Sequence, residues 1–260
     1  MMMTRTPLIF VTNDDGIHAP GIRTLIRLMR EFGKVVVVAP DKPQSGTAHA
    51  ITVKEPLRLE QLAKEKDYQE YACNGTPADC VKLGFKIVLK GHPDLLVSGI
   101  NHGSNASINI IYSGTMAGVI EGAMAGVHSI GFSLDNYSRD ADFRPVGKYI
   151  RSIVQNALEK GLPAGTCLNV NMPDGSRIAI KGIRICRQSG GTWQEDFDER
   201  VDPKGRKYYW LKGNFLKTDH KKDTDQWALE NSWVSVVPVQ FDLTDHHFIT
   251  GLKSWKLNDH

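Results

Sequence analysis

The sequence predicts an α/β fold, a Rossmann-like doubly wound and mainly parallel sheet, on three observations. Short apolar runs alternate with helix-patterned stretches from Leu8 to Val170. Runs such as Val35 to Ala39 are continuous rather than alternating, which is how a strand covered on both faces reads and is the habit of parallel sheets. Polar, turn-forming residues collect after these runs, where an open α/β sheet keeps its ligands.

Leu8 to Thr12 is the first predicted strand. A helix follows over Ile22 to Phe32, with Ile22, Leu25, Ile26, Leu28 and Met29 on one face and Gly33 as its C′ residue. Val35 to Ala39 is the second strand. After a loop containing Pro40, Pro43 and Gly46, shorter strands are expected at Ala50 to Val53, Leu57 to Glu60 and Tyr68 to Ala72. Thr76-Pro77-Ala78-Asp79 announces a helix: Thr76 caps, Pro77 suits the first position, and Asp79 returns to the cap. Asp94 to Val97 is a buried strand, Ser98 to Tyr112 a long polar loop, and Ser113 to Val127 a helix. In that helix Gly114, Gly118, Gly122 and Gly126 leave one side bare. The stripe costs helix propensity, so it is expected to lie close against the sheet. Glu121 and the shortness of the segment argue against a membrane pairing motif. Ser129 to Leu134, Phe143 to Lys160 and Cys167 to Val170 continue the pattern as strand, helix and strand.

Beyond Pro173 the texture turns to strand and turn, at Arg177 to Arg187, Lys207 to Lys212 and Val234 to Val239, with a turn at Asp202-Pro203-Lys204-Gly205. A hairpin bearing Trp193, Tyr208, Tyr209 and Trp210 exposes much apolar surface unless another subunit covers it, which points to a homo-oligomer. Residues 1–175 are therefore expected to form the α/β core. Residues 176–260 are expected to form a β-rich hairpin and C-terminal oligomerisation segment packed on it.

Composition narrows the function. The 260 residues carry a formal net charge of only +3, with no block of five like charges. A strong basic field for nucleic acid is disfavoured, while the slight positive bias suits a small anionic substrate. Val35 to Pro40 is too short to cross a bilayer and Met1 to Pro7 lacks the apolar centre of a signal peptide, so a cytoplasmic location is expected. Cys73, Cys80, Cys167 and Cys186 show no Cys-x-x-Cys spacing and read as reduced core residues; Cys80 alone, inside a helix, has slight grounds as a catalytic thiol.

The most informative residues are Asn13-Asp14-Asp15-Gly16, where two adjacent carboxylates leave the first strand. Capping the next helix needs only one carboxylate. Two at the edge of a low-dielectric core repel each other and call for a shared proton, a basic partner or a hard metal ion. No Lys or Arg lies between Thr6 and Gly21, so a divalent metal leads. Loops after two other strands, Gln44-Ser45-Gly46-Thr47 and Ser98 to Asn105, converge on the same edge in a parallel sheet. The convergence supplies Asp14, Asp15, Ser45 and Asn101 as oxygen ligands for Mg²⁺, Mn²⁺ or Ca²⁺, although Ser45 and Asn101 alone would read as turn residues. Ser113-Gly114-Thr115 opens the glycine-striped helix with free N–H groups and two hydroxyls where a phosphate can bind, or where Ser113 simply caps. No Walker loop and no Gly-x-Gly-x-x-Gly after a strand is present. His18, His49 and His102 lie in or beside these loops, whereas His246-His247 reads as a solvated turn.

These motifs resemble those of the SurE survival-protein family of metal-dependent nucleotidases. The resemblance rests on Val11-Thr12-Asn13-Asp14-Asp15-Gly16-Ile17 with Ala19-Pro20-Gly21, Ala39-Pro40-Asp41 with Gln44-Ser45-Gly46, Asn74 to Cys80, and Ser98-Gly99-Ile100-Asn101-x-Gly103-x-Asn105. It extends through Tyr112-Ser113-Gly114-Thr115, Asn169-Val170-Asn171-Met172-Pro173, Tyr208-Tyr209-Trp210, Thr224-Asp225 and Val234-Ser235. It implies a 5′-nucleotidase, also described as an acid phosphatase, that cleaves nucleoside monophosphates. By motif it places metal ligands on Asp14, Asp15, Ser45 and Asn101 and phosphate contacts on Asn105, Ser113, Gly114 and Thr115. It further implies a homodimer or homotetramer built through an extended hairpin and an exchanged C-terminal segment. Thr47-Ala48-His49 departs from the Gly-His often found there, and the stretch from Ala106 to Ile111 is apolar for its position.

The expected reaction is hydrolysis of a nucleoside 5′-monophosphate by attack of metal-activated water, with Mg²⁺ or Mn²⁺ held by Asp14 and Asp15 and the phosphoryl group held at Ser113 and Thr115. His49 and His102 are candidates to protonate the leaving alkoxide. The rivals are a covalent route with Asp14 as nucleophile and a non-catalytic nucleotide sensor.

Overall fold

A computed structural model describes residues 5–255 and 257, apart from 139 and 177. The strands are β1 (Leu8–Thr12), β2 (Lys34–Pro40), β3 (Leu59–Glu65), β4 (Tyr68–Cys73), β5 (Leu95–His102), β6 (His128–Leu134), β7 (Thr166–Met172), β8 (Ile183–Ile185), β9 (Gly191–Val201), β10 (Lys207–Lys217) and β11 (Val234–Gln240). The helices are α1 (Pro20–Met29), α2 (Pro77–Leu83), α3 (Gly114–Met124), α4 (Gly147–Lys160), α5 (Asp225–Glu230) and α6 (Phe248–Lys253).

Nine strands make one sheet in the order β3-β4-β2-β1-β5-β6-β7-β11-β8. From β4 to β7 all neighbours are parallel, while β3 and β11 attach antiparallel. The continuous apolar runs are explained by cover on both faces. On one face Ile9, Val11, Val35, Val37, Leu95 and Val97 meet α1 and α4; on the other Phe10, Val36, Val38 and Leu96 meet α2 and α3. Phe10 is wholly buried against Phe85, ring edge to ring face at 5.2 Å. Burial of each such side chain contributes about 1.5–3 kcal/mol.

Local signals are obeyed where their chemistry is local. Thr76 and Asp79 form the reciprocal capping box of α2 with Pro77 in the first turn. In the glycine stripe of α3, a Cβ on Gly118 would lie 3.1 Å from Thr12 Cγ2 and one on Gly122 would lie 2.3 Å from Ser129 Oγ. Gly126 is different: it has φ +78° and sits in the turn that ends the helix. Asp202 Oδ1 accepts from the backbone N–H groups of Lys204 and Arg206, making the turn between β9 and β10.

Elsewhere tertiary structure overrides the local reading. Ala50 to Val53 forms no strand, because α2 takes its backbone groups: Thr76 Oγ1 donates to Ala50 O at 2.8 Å and Thr52 N donates to Asp79 Oδ1 at 3.0 Å. The next strand is β3, shifted toward Glu65. Of Arg177 to Arg187, Ile183–Ile185 forms a strand parallel to β11, after Gly182 at φ +152°, and Arg187 makes an isolated parallel bridge to Thr224; Arg177 lies outside the described residues. The strand expected to stop at Val97 continues to His102, so Asn101 sits on β5 rather than in a loop.

The C-terminal segment thus contributes β11 and β8 to the main sheet, while β9 and β10 form a separate two-stranded arm. Trp193, Tyr208, Tyr209 and Trp210 on that arm are all exposed. All four cysteines are buried and free. Among the described residues, no helix is long and apolar enough to cross a membrane.

Candidate active site

β1 is hydrogen-bonded to β2 on one side and to β5 on the other, so the strand order turns back at this point of the sheet. A crevice opens at such a switch point beyond the carboxyl ends of the strands. Asn13, Asp14 and Asp15 emerge there from β1, beside the ends of β2 and β5.

Asp14 is 4% exposed and faces the first turn of α3. Its Oδ1 accepts the Thr115 hydroxyl at 2.5 Å. A Cβ on Gly114 would lie 2.8 Å from Asp14 Cβ and 3.0 Å from its Oδ2, so this glycine is what lets the helix approach the carboxylate. The positive end of the helix dipole and the Thr115 hydroxyl favour the anion. They do not prevail: burial, and then repulsion from Asp15, push Asp14 up to about 7. Burial also raises Asp15, against the pull of the His102 N–H, which donates to Asp15 Oδ2 at 3.1 Å. Among the described residues neither carboxylate pairs with a lysine or arginine.

The other two predicted ligands are tied to this doublet through the main chain. Gln44 N donates to Asp14 O at 2.7 Å, which anchors the loop one residue before the exposed Ser45. Asn101, 9% exposed, precedes the His102 N–H that holds Asp15; its Nδ2 donates to Gly103 O at 2.8 Å and leaves Oδ1 to accept. His49, farther along the Ser45 loop, meets Glu121 of α3 at 2.8 Å, and Lys82 of α2 meets the same carboxylate at 2.7 Å. This cluster pins the loop to both helices.

The residues present fit a hard cation. The four candidate ligands, Asp14, Asp15, Ser45 and Asn101, offer oxygen, the donor a hard cation prefers. Thr12 Oγ1, Asn13 Oδ1 and Ser98 Oγ are buried here with no hydrogen-bond partner. Among the described residues no group of three or more His, Cys, Asp and Glu is placed to hold a metal, so the candidate set is two carboxylates with an amide and a hydroxyl.

On the phosphate side, Ser113 caps α3 by accepting from Met116 N at 3.1 Å, which leaves its own hydroxyl hydrogen to point elsewhere. The Thr115 hydroxyl is directed at Asp14 and holds the carboxylate still. Asn105 is fixed from three sides: its N–H donates to Asn171 Oδ1 at 2.7 Å, its Nδ2 to Ser133 Oγ at 2.8 Å, and its O accepts from Asn169 Nδ2 at 2.9 Å. Sequence reasoning assigned no role to Asn169, Asn171 or Ser133. The available signal was asparagine at every second position of an otherwise apolar strand, both now on the side facing Asn105.

His49 and His102 each hold a partner through one ring nitrogen, and His102 Nε2 is buried without a hydrogen-bond partner. The His102 ring sends Nδ1 to Ser138 O at 3.0 Å and packs edge-on to Phe143, and the His49 ring is held by Glu121. His18 is exposed at the start of α1, and His246 pairs with Asp242 at 2.8 Å far along the C-terminal segment. Burial raises the Cys80 thiol well above its ordinary value, which removes its grounds as a nucleophile.

Comparison with known proteins gives a consistent result. Residues 9–195 match the family model described as survival protein SurE. The chain is 57% identical over 260 residues to the 5′-nucleotidase SurE of Christiangramia forsetii, covering 99% of this chain and 100% of the relative. It is 54% identical over 253 residues to the 5′-nucleotidase SurE of Flavobacterium psychrophilum, covering 97% and 98%. The crystal structure of the SurE protein from Aquifex aeolicus superposes with a TM-score of 0.82 at 38% identity, over 95% of this chain and 98% of that one.

Proposed function

The chain belongs to the SurE survival-protein family, and from that membership we propose that it is a divalent-metal-dependent 5′-nucleotidase that hydrolyses nucleoside 5′-monophosphates to nucleoside and phosphate. One observation supports the metal reading: buried Asp14 and half-buried Asp15 stand side by side at the switch point, among the described residues neither pairs with a lysine or arginine, and Asp14 is driven up to about 7. A bound cation would let both carboxylates stay ionised at neutral pH.

Asp14, Asp15, Ser45 and Asn101 would hold the ion, Mg²⁺ or Mn²⁺ by the hardness of the donors. When bound, such an ion neutralises charge on the phosphoryl oxygens and acidifies a water molecule. The protein's own groups do the positioning. Thr115 and the His102 N–H fix the two carboxylates in one orientation each. Ser113 and the N–H of Gly114 face the same crevice from the positive end of α3, suited to hold phosphoryl oxygens as charge builds on them. Asn105, locked by Asn169, Asn171 and Ser133, presents a side-chain amide that does not have to be ordered when substrate arrives.

We also infer that the exposed arm is covered by another copy of the chain, in a dimer or tetramer. A row of exposed Trp, Tyr, Phe and Leu side chains on a two-stranded ribbon has too little support of its own to account for that apolar surface.

The test is release of phosphate from a panel of nucleoside monophosphates with Mg²⁺, Mn²⁺ or EDTA. Activity with either metal and none in EDTA is expected. Tight nucleotide binding with no phosphate released under any divalent ion would show a sensor instead.

A further inference from the structure

Tyr137 stands out beside the site because it is both large and open, at 73% exposed. Its ring is nevertheless held in place. A Cβ on Gly103 would lie 2.2 Å from Tyr137 Cε1 and 2.8 Å from Cζ, so the ring edge rests directly on the glycine backbone. The Ser104 N–H faces its phenol oxygen.

The segment bearing Tyr137 is locked on both sides. Asn136 Nδ2 donates to Asp174 Oδ2 at 3.0 Å, Ser138 N donates to Asn136 Oδ1 at 2.8 Å, and Ser138 O receives the His102 ring. Gly103 N in turn donates to Leu134 O at 2.8 Å, joining the two loops. A rigid aromatic face turned to solvent contributes little to folding, because most of its apolar area stays wet.

Its position suggests what the face is for. In the chain Gly103 lies two residues from Asn101, a candidate ion ligand that donates to its carbonyl, and two from Asn105, a candidate phosphate contact. A nucleoside monophosphate anchored at its phosphate must project its sugar and base away from that point, over the surrounding loops. We infer that Tyr137 is the platform on which the substrate's nucleobase stacks. This rests on the nucleotidase reading above and deepens it: the contact is to the π-face of the base, which every base has, so it favours nucleotides over other phosphomonoesters without choosing among bases.

The experiment compares AMP with ribose 5-phosphate, which keeps the sugar and phosphate and lacks the base, as substrates for wild type, Tyr137→Ala, Tyr137→Phe and Tyr112→Ala. Tyr137→Ala should raise KM for AMP about tenfold, the lower part of the range for removing one base–aromatic stack. It should leave kcat for both compounds and KM for ribose 5-phosphate unchanged. Tyr137→Phe and Tyr112→Ala should keep the wild-type KM for AMP. An unchanged KM for AMP in Tyr137→Ala overturns the inference alone. So does an equal rise for both compounds, which would mean that only the Gly103 loop had shifted. Wild type that releases phosphate from neither compound overturns the nucleotidase reading, and the inference with it.

Discussion

At the carboxyl edge of the sheet Asp14 is 4% exposed and, among the described residues, pairs with no lysine or arginine; on the arm Trp210 is 60% exposed. Both regions are incomplete, in different physical terms. The edge has a deficit of charge, concentrated in the buried Asp14 and the half-buried Asp15 beside it. The arm has a deficit of burial, spread over Trp193, Phe197, Tyr208, Tyr209, Trp210 and Leu211. A charge deficit is met by one small ion in a site with defined geometry. A burial deficit takes a complementary surface of many residues. On the proposed reading the chain would gain an ion at one place and a second copy at the other, through unlike shortfalls.

The comparison breaks if the edge tolerates loss of charge as readily as the arm tolerates loss of one contact. Asp14→Asn keeps the shape and removes the charge, and kcat/KM for AMP should fall at least about 10³-fold, as for loss of a main electrostatic element, with circular dichroism unchanged. Gly114→Ala tests the close approach of α3. Its Cβ would meet Asp14 at 2.8 Å, and the resulting displacement should lower kcat by about 10²-fold.

On the arm, Trp210→Ala should weaken subunit association by about 30-fold, as truncation of a central aromatic does, read by sedimentation across a dilution series. A wild-type chain that is monomeric at every concentration removes the arm from the comparison.

The smallest effect sharpens the account of the edge. The Asp14 carboxyl is raised in the folded protein from 3.8 to about 7, mainly by burial and then by Asp15. The folded state thus binds this proton more tightly than the unfolded chain. Stability from it is complete below the unfolded value and is lost as pH rises through about 7. In EDTA, wild type should gain about 1.4 kcal/mol over Asp14→Asn between pH 8 and pH 6, measured by urea unfolding at each pH. A gain on raising the pH would reverse the sign and the argument.

The sequence and the structure agree best where one residue type does one local job. The Asp14-Asp15 doublet, the Thr76–Asp79 box and the continuous runs of β1 and β2 are legible because charge repulsion, capping and burial act on neighbours in the chain. What stayed hidden depends on partners far away. The tie from Thr115, read as a phosphate contact, to Asp14 spans 101 positions. Asn169 and Asn171 carried no assigned role until β7 was placed beside the Asn105 segment. Ala50 to Val53 has a strand's composition, but the α2 cap claims its backbone. The fourth glycine of the α3 stripe is the converse case: it kept the spacing and ended the helix instead.

The central claim is that Asp14 and Asp15 hold a divalent ion at the positive end of α3. A crystal soaked in Mn²⁺ tests it most directly, by anomalous scattering at the manganese edge. The expected result is one strong peak within coordination distance of Asp14 and Asp15, with Asn101 and Ser45 as its other protein neighbours, absent in Asp14→Asn. A saturating soak that leaves the doublet without a peak, or places manganese only elsewhere on the chain, would contradict the account.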